Sequence, residues 1–398
     1  MPFLAITDAR VMTAGRMDQE PQTVLINGRR IAAVGKGVDI PRHATVIDAN
    51  GNSLLPGLID AHCHAYGFSL SLEEMEKWPL SYAALRAAQR LKAALRRGFT
   101  TVRDVAGGDP GLARAISEGI IIAPRYLYTG PALSQTGGHG DGRSPLIQEP
   151  PYCGCSTNVV DGVEAVRRRV RELLRQGAHA IKLLTSGGVI SPTDPLEVPQ
   201  YSAEEIAVAC GEANRRGTYV TAHAYSPAAI LHSINHGVRC IEHGNLLDAP
   251  TAATMAELGV ALVPTLATYD AMDRRGHEVG LTEAGREKNT AVLDAGRNAI
   301  RVARAAGVRI GFGTDLMGDL EDEQLQGLRL QSGVEGIERT IEAATATNAG
   351  ILGMGDRIGR IEPGMAADLV LFAGDLRRDP ELLWTGERTV IFGGQIVR

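Results

Sequence analysis

The chain has 398 residues, 44% hydrophobic and 22% charged, with a formal net charge of -5, proportions that suit one large globular unit with a minor lobe and argue against disorder. The mild charge, without a basic stripe interleaved with aromatics, argues against a nucleic-acid partner, and no apolar run reaches bilayer length. The opening Met1-Pro2-Phe3-Leu4-Ala5 lacks a secretory pattern and the five cysteines suit a reducing compartment, so no membrane association and a cytoplasmic location are expected.

Residues 1–56 read as short strands and turns, at 4–7, 23–26, 31–34 and 45–47, with Asn27-Gly28 as a hairpin signal. Residues 361–398 share that texture at 368–372, 389–392 and 395–397. Both ends therefore predict one small β-sandwich domain assembled from the two termini, which leaves 57–360 as a second unit. There a strand-then-helix rhythm takes over. Strands are expected at 58–60, 100–103, 126–128, 180–184, 219–222, 239–242, 260–263 and 309–312, eight in all. Val163, Val166, Val170, Leu173 and Leu174 recur at helical spacing behind an N-cap expected at Asp161. Ser202 and Glu205 form a capping-box pattern, and Gly98, Gly177, Gly217, Gly237, Gly259 and Gly307 each stand between a helix and a strand. This rhythm predicts an α/β fold, a closed (β/α)8 TIM-like barrel. No G-x-G-x-x-G follows the first barrel strand, which argues against dinucleotide binding.

A barrel places its chemistry at the C-terminal ends of its strands. The first ends in His62 and His64, two positions apart and so on one face of an extended chain. Imidazole pairs of this kind suit a zinc-like ion. Cys63 between them is expected to face away. The fourth strand carries Lys182, the fifth ends in His223, the sixth in His243, and the eighth runs into Asp315. A lone lysine in an apolar strand needs a carboxylate partner, a depressed pKa, or conversion to a carbamate. His43, His179, His232, His236 and His277 lie in loops or helices and read as structural. Cys153 and Cys155 read as loop thiols, Cys210 and Cys240 as core residues.

The order His-x-His, Lys, His, His, Asp resembles the amidohydrolase superfamily, in its binuclear-metal branch. The phrases Pro56-Gly57-Leu58-Ile59-Asp60-Ala61-His62, Glu242-His243-Gly244, Gly313-Thr314-Asp315 and 360–369 carry the resemblance across nearly the whole chain. Thr136-Gly137-Gly138-His139-Gly140-Asp141 and Ala222-His223-Ala224-Tyr225-Ser226 are similar to the prolidase-like dipeptidases of the Xaa-Pro or Xaa-Arg type. The resemblance implies two divalent ions, zinc by expectation. His62, His64 and Asp315 would hold the more buried ion, His223 and His243 the other, and Lys182, modified to a carbon dioxide-derived carbamate, would bridge them. It further implies a bridging hydroxide, Asp315 as proton acceptor and donor, and His139 and Tyr225 as substrate-binding and catalytic residues.

The expected activity is hydrolysis of the amide bond of a dipeptide or N-acyl amino acid. The alternative is another C–N bond, in a carbamate, thiocarbamate or amide-containing xenobiotic. Deamination or imidazolone-ring opening is disfavoured by Lys182 and by the lack of a Glu directly after His223. A non-catalytic scaffold would have lost ligands that this chain retains. A small-molecule substrate and homo-oligomerisation complete the expectation. Specificity is expected in loops 66–80, 134–160, 187–201, 268–281 and 316–326. Asp270, Asp273, Asp319, Glu321, Asp322 and Glu323 would favour a basic substrate side chain. Leu146, Pro150, Pro151, Tyr152, Val189, Ile190 and Pro192 would favour an aromatic or proline-containing one. Both readings stand at this point.

Overall fold

The structure, a computed structural model, describes residues 3–13, 15–18, 20–71, 74–75, 78–143, 156–191 and 194–397. The long strand Phe3–Thr13 organises the sheet built from the two ends. Its first half pairs with Gln22–Asn27 and Thr45–Asp48; after a bulge at Asp8 (φ 51°) its second half pairs with Ser53–Pro56. Leu369–Phe372 then pairs antiparallel with Ser53–Pro56, and Arg388–Phe392 and Gln395–Ile396 extend the same sheet. Leu4, Ile6, Val24, Ile26, Leu54, Leu369 and Ile391 form its core. N-terminal and C-terminal strands are thus one hydrogen-bonded structure.

Each of the eight segments expected as barrel strands carries a strand. Leu58–Cys63, Phe99–Asp104 and Arg125–Tyr128 form one parallel sheet. Ile181–Leu184, Val220–Ala224, Cys240–His243, Ala261–Val263 and Arg309–Ile310 lie in sequence order in a seven-stranded parallel sheet. That sheet also holds Ala132–Ser134 and Thr157–Val159, two three-residue strands too short to leave a periodic signal. The two sheets meet at both edges: His179 N donates to Tyr128 O at 2.7 Å, and Ala61 N donates to Phe312 O at 3.0 Å. Asn348, following a π-helical turn at Ala343–Thr347, fastens the second junction. Its Nδ2 donates to Ile59 O and Phe312 O, both at 2.8 Å, and its Oδ1 accepts from Phe312 N at 3.1 Å.

Helix Val163–Arg175 buries Val166, Val170, Leu173 and Leu174, as the periodicity requires. Its cap is a correction. The N-cap is Gly162 with no side-chain cap bond. Asp161 is occupied elsewhere, accepting from Thr136 N at 2.9 Å and Thr136 Oγ1 at 2.6 Å. The Ser202–Glu205 capping box is present in full. Ser202→Ala is expected to cost about 1 kcal/mol, read as a lowered urea midpoint; an unchanged midpoint would mean the cap is redundant. Among the described residues, no helix is long and apolar enough to cross a membrane.

Candidate active site

Six side chains named above line one cleft at the C-terminal ends of these strands: His62, His64, Lys182, His223, His243 and Asp315. The cleft has a cavity volume of ≈ 80 Å³. The ring centroids of His62 and His64 lie 5.2 Å apart, and that of His243 lies 4.9 Å from His62. Asp315 Oδ1 sits 2.8 Å from His64 Nε2 and 3.3 Å from His62 Nε2. Ligand atoms of His62, His243 and Asp315 all fall within 4.8 Å of one another.

The backbone is bent to achieve this. His243 (φ 73°) and Asp315 (φ 55°) occupy the left-handed region, a conformation that costs a non-glycine residue of order 1–3 kcal/mol and persists where the surroundings impose it. Gly313 permits the close approach of the last strand, because a Cβ there would meet His62 Cβ at 2.6 Å. Asp60 locks the same junction, accepting from His62 N at 3.1 Å, Thr314 Oγ1 at 2.6 Å and Gln324 Nε2 at 3.0 Å.

Burial pushes the His223 and His243 imidazoles well below their usual pKa, toward the neutral form that metal binding needs; His223 Nε2 lies 3.0 Å from Gly187 O, and His243 Nδ1 lies 2.8 Å from Thr265 Oγ1. Burial alone would raise the Asp315 carboxyl, but the adjacent His62 and His64 outweigh it and hold the group well below the carboxylate range. Burial brings the Lys182 ammonium down to about 8, against the opposing pull of Glu242 and Asp315. Neutral imidazoles, an ionised carboxylate and an easily deprotonated buried amine form a donor set that fits divalent ions.

His139 and Tyr225 line the same cleft. The His139 ring stacks on His223 with centroids 4.3 Å apart, and Tyr225 stacks against His243 at 5.4 Å. The Tyr225 hydroxyl pairs with Tyr269 Oη at 2.8 Å, and Tyr269 Oη in turn lies 2.9 Å from His243 Nδ1. Cys63 lines a separate small cavity with Arg90 and Leu91. His179 and His232 bond backbone carbonyls through Nε2, of Leu352 and Tyr201, both at 3.0 Å.

Sequence reasoning missed the residues behind the candidate ligands. Glu242 Oε2 meets His62 Nδ1 at 2.7 Å, which leaves Nε2 for the cleft. Glu242 Oε1 accepts from Arg103 Nη2 at 2.5 Å and from Thr221 Oγ1. Arg103 is fully buried and also donates to Ala61 O at 2.6 Å and Tyr219 Oη at 3.0 Å. A carboxylate within an apolar strand was the available signal.

The rim needs another correction. Residues 266–275, in part expected as loop, form the helix Leu266–Arg275. Its arginines and Arg90 pair with four of the six acidic residues. Glu323 pairs with Arg274 at 2.9 Å and Arg275 at 3.1 Å, Asp322 with Arg275 at 2.6 Å, Glu321 with Arg90 at 2.9 Å, and Asp270 with Arg274 at 2.8 Å. The argument for a basic substrate side chain loses its footing. Val189 and Ile190 do line the cleft, with Leu70, Met75, Met272 and Met317. Leu146, Pro150, Pro151, Tyr152, Cys153, Cys155 and Pro192 lie outside the described residues.

Residues 53–397 match the model of the Amidohydrolase family. The chain belongs to that family. This amidohydrolase is therefore an enzyme that hydrolyses C–N bonds. It is similar to a prolidase solved in complex with N-methylphosphonate-L-proline, at 39% identity and TM-score 0.96, over 100% of this chain and 99% of that one. It is also similar to an ochratoxinase of Aspergillus niger, 33% identical over 377 residues, covering 89% of this chain and 78% of the relative. A Xaa-Pro dipeptidase with methionine bound in its active site is 27% identical, with TM-score 0.88 over 100% of both chains.

Proposed function

We propose that this amidohydrolase cleaves the amide bond of a dipeptide or N-acyl amino acid at a centre of two divalent ions, zinc by preference. His62, His64 and Asp315 would hold one ion, His223 and His243 the other, with Lys182 as a carbamate between them. The observation that carries the reading is the convergence of all six side chains on one cleft. The likeness to a prolidase and a Xaa-Pro dipeptidase supports the peptide substrate. Bound ions of this kind supply Lewis acidity and lower the pKa of water from about 15.7 to about 7.

The chain's own residues do the remaining work. Asp315, ionised and held by two imidazoles, takes the proton from the attacking water and passes it to the leaving nitrogen. Tyr225 and His139 orient the scissile carbonyl or the terminal carboxylate. Leu70, Met75, Val189, Ile190, Met272 and Met317 exclude water and accept an apolar substrate group. That apolar wall and the likeness to an ochratoxinase also favour a second reading, an amide with a bulky apolar acyl group. In the same reading the eight strands close into a (β/α)8 barrel over 57–360, with 1–56 and 361–398 as a β-sandwich; the hydrogen bonds joining both sheet edges support it.

Metal analysis of enzyme prepared without chelators is expected to give about two ions per chain; a firm value of one would end the binuclear reading. A panel of dipeptides and N-acyl amino acids, assayed with metal-replete enzyme, is expected to select an apolar residue. Turnover confined to carbamates would overturn the substrate assignment.

A further inference from the structure

Lys288 has no part in the chemistry described so far, yet its surroundings are unusually well defined. It projects from helix Glu283–Ala305 across to residues 188–191 and Asp194. There Nζ donates to three backbone carbonyls, Gly188 O at 3.1 Å and Ser191 O and Asp194 O at 2.8 Å each. Three donors meet three acceptors, so the capacity of the ammonium is filled by these three carbonyls. Its side chain is 19% exposed.

The same residues hold His139 from two directions. Ser191 Oγ lies 2.9 Å from His139 Nδ1, and the same hydroxyl donates to the Asp194 carboxylate. With its proton committed to a carboxylate, the hydroxyl accepts from Nδ1–H and leaves Nε2 for the cleft. Gln200 closes the circuit, with Nε2 donating to Asp194 Oδ2 at 2.9 Å and Oε1 accepting from His139 N at 3.0 Å. The imidazole is also fixed in plane. One face lies on His223, with an interplanar angle of 21°. The Gly188 backbone also packs close to the ring, where a Cβ would come within 2.0 Å of ring Cε1. The next residue of the helix, Asn289, donates to Tyr269 O at 3.0 Å. One helix turn thereby anchors both rim elements that reach the substrate groups.

We infer that Lys288 is a positioning residue for His139: by fixing Gly188, Ser191 and Asp194 it sets the plane of the imidazole and, through Ser191, its tautomer. The inference rests on the reading that His139 touches the substrate. A double-mutant cycle separates the two, using Lys288→Met, His139→Asn and their combination in metal-loaded enzyme with L-leucyl-L-proline as probe. His139→Asn is expected to lower kcat/KM about hundredfold and Lys288→Met about tenfold, the scale of a misplaced catalytic contact. Metal content is expected to stay at the wild-type value, and the combination is expected to be no worse than His139→Asn alone. Additive losses, or a Lys288→Met enzyme within about twofold of wild type, would overturn the role of Lys288 alone. A silent His139→Asn would remove the underlying reading and the inference with it.

If Lys288→Met fails to fold, Ser191→Ala enters the same cycle. A second arm needs no substrate: NMR of isotope-labelled histidine, with the His139 signal identified by its loss in His139→Asn. The wild-type signal is expected to show Nδ1 protonated, and to shift or broaden in Lys288→Met or Ser191→Ala. An unchanged signal in both variants would refute the positioning role.

Discussion

Lys182→Ala is expected to lower kcat/KM about a thousandfold, because the transition-state stabilisation lost with a catalytic metal amounts to several kcal/mol. Lys182 is 2% exposed, lies in the strand Ile181–Leu184, and lines the cleft between His223 and His62. An amine brought down to about 8 by burial spends an appreciable fraction of its time deprotonated near neutrality, the form that adds to carbon dioxide. The resulting carbamate would add two oxygens to a set of imidazoles and one carboxylate. Alanine removes those oxygens and leaves a hole, into which acetate or propionate fits. Partial recovery in millimolar short carboxylic acid, with metal content rising alongside it, is therefore the second half of the expectation. Wild-type activity in Lys182→Ala without additive would sink the bridging role.

The second large effect is expected behind the ligands, at Arg103. Its guanidinium is 0% exposed and meets the equally buried Glu242 at 2.5 Å. Burial alone would raise the Glu242 carboxyl, but Arg103 and His62 hold it far below the usual range. Arg103→Met strands that charge in the protein interior. Breaking a buried pair in this way costs about 3–5 kcal/mol, measurable as a lowered urea midpoint. His62 loses its fixed tautomer as well, and loss of such a supporting contact weakens metal binding by about 10- to 100-fold. Arg103→Met combined with Glu242→Gln is expected to recover much of the stability, since a neutral amide oxygen still accepts from His62 Nδ1 and no charge is left unpaired. A single Arg103→Met change that costs under about 1 kcal/mol would show that water or a neighbour relieves Glu242.

How much of this was legible in the chain follows from the range of the interactions involved. The His62–His64 pair was visible because strand alternation puts positions two apart on one face. The Ser202–Glu205 box was visible because its partners are three residues apart. Asp161 misled because its nearest helix is not its partner; it accepts from Thr136, 25 residues away. Glu242 stands beside His243 in the chain, where nothing local signals its task. Alternation sends neighbouring side chains to opposite faces, but the left-handed backbone at His243 lets both reach His62.

The sequence alone therefore determined the repeating strand-and-helix plan, the positions of the eight parallel strands and the identities of the candidate metal ligands. Each depends on local periodicity, on helix ends, or on residue types whose burial demands chemistry. Only the tertiary structure decided which groups support them. Glu242 reaches His62 across 180 residues, Arg103 reaches Glu242 across 139, and Lys288 reaches Ser191 across 97. Such pairings depend on where the strands and loops come to lie, and a hydrogen-bonding side chain has no period along the chain from which its distant partner can be read.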